Sequence, residues 1–166
     1  INLVVSFSKA VNVNTTGGTP TLELETGETN RTATYASGSG SSTLVFSYAV
    51  QAGDIASDLD YTSTSALSLN SGTIQDAAGN NAILILTSPG VAGSLAANQA
   101  LVIDGVLPTV SGVSSSTSNG AYKVGDVINL VVSFSKAVNV NTTGGTPTLE
   151  LETGETNRTA TYASGS

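Results

Sequence analysis

Six aspartates, Asp54, Asp58, Asp60, Asp76, Asp104 and Asp126, fall in turns or at strand ends, and the chain holds no histidine or cysteine to accompany them. Carboxylates without nitrogen or sulfur neighbours are hard oxygen donors. Calcium uses such donors, taking about six to eight oxygens from carboxylates, carbonyls, amides and water. In the string DLD, Asp58 and Asp60 flank Leu59. Two-residue alternation buries Leu59 and turns both carboxylates toward one ion. The same residue type has a second use, because a short carboxylate caps nearby backbone N–H groups and closes turns without any ion. DAAGN, Asp76 to Asn80, is a sound turn on that ground alone.

The six glutamates all sit in or beside TLELETGE and its second copy, at Glu23, Glu25, Glu28, Glu150, Glu152 and Glu155. Alternation places Glu23 and Glu25 on an open strand face. Acid and base catalysis instead needs differently tuned carboxylates in a cleft. Lys9 and Arg31 are expected to pair with these glutamates across strands. Without Cys or His the common zinc sites and the usual nucleophile–base pairs have no residues to build them, so an enzyme is not expected. The net charge of −7 with five basic residues disfavours nucleic acid, which is bound through clustered Lys and Arg. No apolar run reaches the ~20 residues that cross a bilayer as a helix, so no membrane insertion is expected. Asn14-Thr15-Thr16 and Asn30-Arg31-Thr32 match the Asn-x-Thr sequon, a pattern that a Thr-rich composition also produces by chance.

The elements that carry these residues are strands. Leu3, Val5 and Phe7 share one face; Leu22 and Leu24 alternate with Glu23 and Glu25; Leu44, Phe46, Tyr48 and Val50 form another face. Shorter strands are expected over residues 31–35, 72–75, 82–86, 100–103 and 109–115, separated by the turn strings TTGG, TGETN, SGSGSS, DAAGN and SNG. One short helical turn fits within residues 91–98. Many short strands between Gly, Ser and Asn turns predict an all-β Greek-key immunoglobulin-like β-sandwich.

A repeat organises the chain. Residues 1–39 recur without a change as residues 128–166, so each position reappears 127 residues further on. That length is one ordinary domain, far above the ~20–50 residues of solenoid repeats. The phase predicts that the chain begins and ends inside a repeat. The junction is expected near VIDGVLPTV, where Pro108 restarts the chain in an extended conformation. This gives residues 1–107 as a repeat lacking its N-terminal strand segment, and residues 108–166 as the N-terminal part of the next.

The strings DLDYTSTSALSLNSGTIQDAAGN, VAGSLAANQALVIDGVLPTV, NGAYKVGDVINLVVSFSKAV and TPTLELETG together resemble the bacterial Ig-like or cadherin-like tandem repeats of giant surface adhesins, the type found in cyanobacterial swimming-related surface proteins. The resemblance implies an extracellular β-sandwich stalk module on a bacterial surface. Such modules are often stiffened by calcium, with Asp104 of DGVLP at the position of an interdomain ion. It also implies neighbouring copies of the repeat as partners, and a surface receptor or glycan bound through other domains. One departure stands out: Lys9 and Lys136 follow the FS of their strand where related repeats commonly carry Glu, which puts any ion held by that Glu in doubt. Two alternatives stand beside the stalk. One is a self-assembling filament subunit joined by strand exchange through residues 109–115. The other is a carbohydrate- or ice-binding module, against which the five tyrosines are scattered rather than clustered.

Overall fold

The computed structural model describes residues 1–165 and divides into two compact units, Ile1–Val106 and Leu107–Ser166. Unit 1 contains β1 (Asn2–Asn14), β2 (Thr21–Leu24), β3 (Arg31–Ser37), β4 (Ser41–Ser47), β5 (Ile55–Ala56), β6 (Leu67–Ser68), β7 (Thr73–Gln75), the single helical turn α1 (Leu95–Asn98) and β8 (Ile103–Asp104). Unit 2 contains β9 (Val110–Ser115), β10 (Leu130–Phe134), β11 (Thr148–Leu151) and β12 (Arg158–Thr161). The fold is all-β with antiparallel sheets, one of them curled into a half-barrel.

That sheet has the order β6-β2-β3-β4-β1-β7. Its curl begins in β1, whose first half pairs with β4 from Asn2↔Ser47 to Ser6↔Thr43. After a register break before Val11, the second half pairs with β7 from Asn12↔Gln75 to Asn14↔Thr73. A break of this kind bends a strand and lets one long strand serve two partners. β5 and β8 form a separate short ribbon, Ile55↔Asp104 and Ala56↔Ile103.

Alternation puts the core where the period of two requires it. Leu3, Leu22, Leu24, Ala33, Leu44 and Phe46 are buried, while Val4 and Glu23 face out. Cross-strand neighbours Leu3↔Phe46 and Leu22↔Ala33 stack on the inner face, and Tyr35 meets Phe46 edge-to-face with ring centroids 6.0 Å apart. Leu59, Tyr61, Leu67, Ile74 and Ile103 close the core from the loops and short strands.

Three expected strands differ. Val50 is exposed because β4 ends at Ser47 and Tyr48 is the last inward residue. Residues 82–86 alternate, with Ala82, Leu84 and Leu86 packed on the core and Ile83 and Ile85 out, but form no ladder. They are tied only by Ala82 N–H to the Ile74 carbonyl and Leu86 N–H to the Thr64 carbonyl, each 2.9 Å. Of residues 100–103 only Ile103 is in a strand, since the Leu101 amide is taken by Asp58 and its carbonyl by the Leu59 amide.

Gly18 shows how closely backbones approach. A Cβ built on it would lie 1.7 Å from the Asn70 carbonyl oxygen, so only glycine fits. Asn70 and Ser71 adopt positive φ in the opposing turn, and the Asn70 side-chain amide donates to the Thr19 carbonyl at 3.0 Å.

Candidate functional site

The most elaborated polar site centres on Asp54, in the loop between β4 and β5, with a side chain only 1% exposed. A buried carboxylate is costly unless charge and hydrogen bonds surround it. Arg31 at the start of β3 places its Nε 2.7 Å from Oδ1. Tyr48, the last inward residue after β4, donates its hydroxyl to Oδ2 at 2.7 Å, and the Gln51 N–H reaches the same oxygen at 2.7 Å. Burial pushes the Asp54 carboxyl up. The hydrogen bonds from Tyr48, Arg31 and Gln51, with the Arg31 charge, outweigh it and hold the group below its usual range. Burial, reinforced by the bond to Asp54, pushes the Tyr48 phenol up to about 12. The loop's backbone joins the end of unit 1: Gly105 N–H donates to the Asp54 carbonyl at 2.7 Å, and Gly53 N–H to the Gly105 carbonyl at 2.9 Å.

A second anchor forms at Asp60. It accepts the Tyr61 N–H at 2.9 Å on one oxygen and the Gly90 N–H at 2.9 Å on the other. Buried Ser94, the N-cap of α1, also accepts from Gly90 N–H, at 3.1 Å, and from Ala97 N–H at 3.3 Å. The Tyr61 hydroxyl donates to the Thr87 carbonyl at 2.5 Å, and burial followed by the Asp60 charge pushes its pKa up. Together these groups hold the loop that carries residues 87–94.

Asp76 closes its turn as DAAGN predicts. Its carboxylate accepts Ala78 N–H at 3.0 Å, Asn80 N–H at 2.9 Å and the Asn80 side-chain amide at 3.0 Å. Lys9 adds an ion pair at 2.9 Å. The Asn80 bonds and Lys9 hold this carboxyl well below the usual carboxylate range. Asp58 accepts the Leu101 amide at 3.2 Å, Asp104 the Val106 amide at 3.2 Å, and Asp126 the Lys123 amide at 2.9 Å.

Each aspartate therefore serves a different stretch of backbone. Leu59 is buried as alternation requires, but Asp58 and Asp60 accept from separate segments rather than from a shared partner. Among the described residues no group of three or more acidic side chains is placed to hold a metal ion. The expected pairing of Lys9 and Arg31 with glutamates is corrected: their partners are Asp76 and Asp54. Glu23 accepts the Thr62 hydroxyl at 2.6 Å instead. The Arg31–Asp54 pair lay beyond sequence reasoning because its members are 23 residues apart, while Glu23 and Glu25 lie closer to Arg31 in sequence. Tyr48 was visible as an inward residue, and its hydroxyl at the end of an apolar face was the one signal that a buried polar partner was needed.

Among the described residues no helix is long and apolar enough to cross a membrane. No family model, no curated protein and no solved structure matches the chain.

Proposed function

We propose that the chain is a structural module that extends or stiffens a repetitive extracellular fibre or adhesin stalk on a bacterial surface, built as immunoglobulin-like sandwiches that recur every 127 residues. The observation that carries this reading is the 39-residue identity between residues 1–39 and 128–166. Folding does not demand identity at solvent-facing positions. Copying the surface as well as the core suits a part whose purpose is to be repeated. The polar side chains support the reading, because Asp54, Asp60 and Asp76 are all spent on fastening loops to the sheet.

Stiffness at the end of unit 1 then comes from protein groups. The Arg31–Asp54–Tyr48 cluster fixes the loop to which Gly105 is hydrogen-bonded. Calcium at the junction would add to this stiffness. A melting temperature that rises in millimolar calcium over excess chelator supports an ion at the exposed Asp58 or Asp104, and coincident curves count against one. The fibre reading is tested by scattering from arrays of increasing repeat number, whose length should grow by a constant increment per period, and by antibody labelling of intact cells. Arrays that collapse to compact particles, or labelling seen only after lysis, would overturn it.

A further inference from the structure

Asn119-Gly120 is the one Asn-Gly step in the chain, and it lies in the loop between β9 and β10. Such a step carries its own electrophile and nucleophile, the asparagine carboxamide and the amide nitrogen of the next residue. Closing a five-membered ring between them requires the backbone to swing that nitrogen onto Cγ. A Cβ on the following residue hinders the swing, and glycine has none. Hydrogen bonds that pin the side chain hinder it as well.

Both hindrances are missing at Asn119. The β9–β10 ladder ends where Ser116 N–H donates to the Asn129 carbonyl at 3.1 Å and Asn129 N–H to the Thr117 hydroxyl at 2.9 Å. A separate turn begins at Lys123, whose carbonyl accepts the Asp126 N–H at 3.1 Å. Between them the loop is closed by the Tyr122 hydroxyl, which donates to the Ser118 carbonyl. Asn119 and Gly120 are exposed, and among the described residues neither has a hydrogen bond. Asn70, followed by the small Ser71, is the opposite case. It is exposed too, but its amide donates to the Thr19 carbonyl at 3.0 Å and the Thr21 hydroxyl at 2.8 Å, and its carbonyl oxygen accepts the Ser68 hydroxyl at 3.0 Å.

We infer that Asn119 is a site of self-modification, converting without an enzyme to aspartate and isoaspartate. The Gly120 nitrogen gives up its proton to base and bonds to Cγ of Asn119. The Cγ–Nδ2 bond breaks, and Nδ2 takes up a proton and leaves as ammonia. Water then opens the succinimide. Cleavage of the new Cγ–N bond restores the main chain and leaves aspartate. Cleavage of the original C–N bond routes the chain through the side chain as isoaspartate, longer by a methylene. Either product adds a negative charge to the loop. This chemistry needs no neighbour and no surface location, so it holds whatever the module's role.

The test ages the full chain in mildly alkaline buffer and follows it by peptide mapping with tandem mass spectrometry. Asn119 should gain about 1 Da, the exchange of an amide nitrogen for oxygen, before any other asparagine. An isoaspartyl methyltransferase should label the same peptide. Gly120→Ala should slow the gain by about 5-fold or more. A Cβ there would meet nothing closer than 3.8 Å, and Gly120 is not in the left-handed region, so the loop is kept. Ser71→Gly separates structure from sequence, because it creates a second Asn-Gly step at a position whose φ of 69° suits glycine. In the folded variant Asn70 should stay unconverted while Asn119 reacts, and in denaturant the two should react at similar rates. Melting curves verify that both variants fold. A different asparagine reacting first, a rate unchanged by Gly120→Ala, or Asn70 of folded Ser71→Gly keeping pace with Asn119 would each overturn the proposal.

Discussion

Residues 1–39 and 128–166 are one sequence in two settings, and the contrast separates local from non-local determinants. The hairpin β2–β3 pairs Leu22↔Ala33 and Leu24↔Arg31, and β11–β12 pairs Leu149↔Ala160 and Leu151↔Arg158, the same register. Turn bonds recur too. The Thr26 hydroxyl donates to the Thr29 carbonyl and that of Thr153 to the Thr156 carbonyl, both at 2.7 Å. Asn14 and Asn141 each accept the N–H two residues on at 2.9 Å. What differs is everything that needs residues 40–107. Leu24 is wholly buried and Leu151 only half-buried; β1 spans 13 residues and β10 five. Hairpin register is thus written in the hairpin, whereas burial is conferred by distant partners.

Paired substitutions sharpen this contrast. The largest difference is expected for Leu24→Ala against Leu151→Ala. Emptying a fully packed site should cost about 2–5 kcal/mol, and trimming a half-covered one less than about 1 kcal/mol, read by denaturant unfolding of each variant. Next come the copied arginines. Arg31→Met strands the buried Asp54 carboxylate and should lower the melting temperature of unit 1 by roughly 5–10 °C, while Arg158→Met, at an exposed site, should move it by no more than about 1 °C.

The pH dependence has two limbs in unit 1. Asp54 and Asp76 have folded pKa values below the unfolded ones, so their contribution is present above the ordinary carboxylate range and fades as pH falls through the folded values. Tyr48 has the opposite sign. Its contribution is full below pH 10 and is lost as pH rises toward about 12, so Tyr48→Phe should flatten the alkaline limb of a melting-temperature profile. Among the ion pairs of unit 1 the smaller effect belongs to Lys9→Ala, which removes an exposed pair and should shift melting by about 2 °C or less, an amount that added salt would largely erase. A Leu151→Ala loss as large as that at Leu24 would break the comparison altogether.

Much of the fold was legible from period-two alternation, because half-buried strands carry their orientation in successive residues. Leu22, Leu24, Leu44 and Phe46 were placed on the inner face by that rule, and the DAAGN turn and the single helical turn near residues 91–98 by their punctuation. Legibility failed where alternation continued past the ladder, at Val50 and residues 82–86. Side-chain periodicity says nothing about whether a backbone partner is present. It failed again at the polar site. The aspartates were visible as a set, but which amide each one meets depends on loops that close over distances no spacing rule encodes. Asp54 finds its cation on β3, and Asp60 spans to Gly90.

The tight contact at Gly18 has a genetic consequence. Any codon change that replaces this glycine would drive a side chain into the Asn70 backbone. Because residues 1–39 and 128–166 are identical, recombination between the two tracts can carry a substitution arising in either glycine codon to the other. In an array whose copies exchange sequence, a glycine codon is therefore under selection in every copy at once.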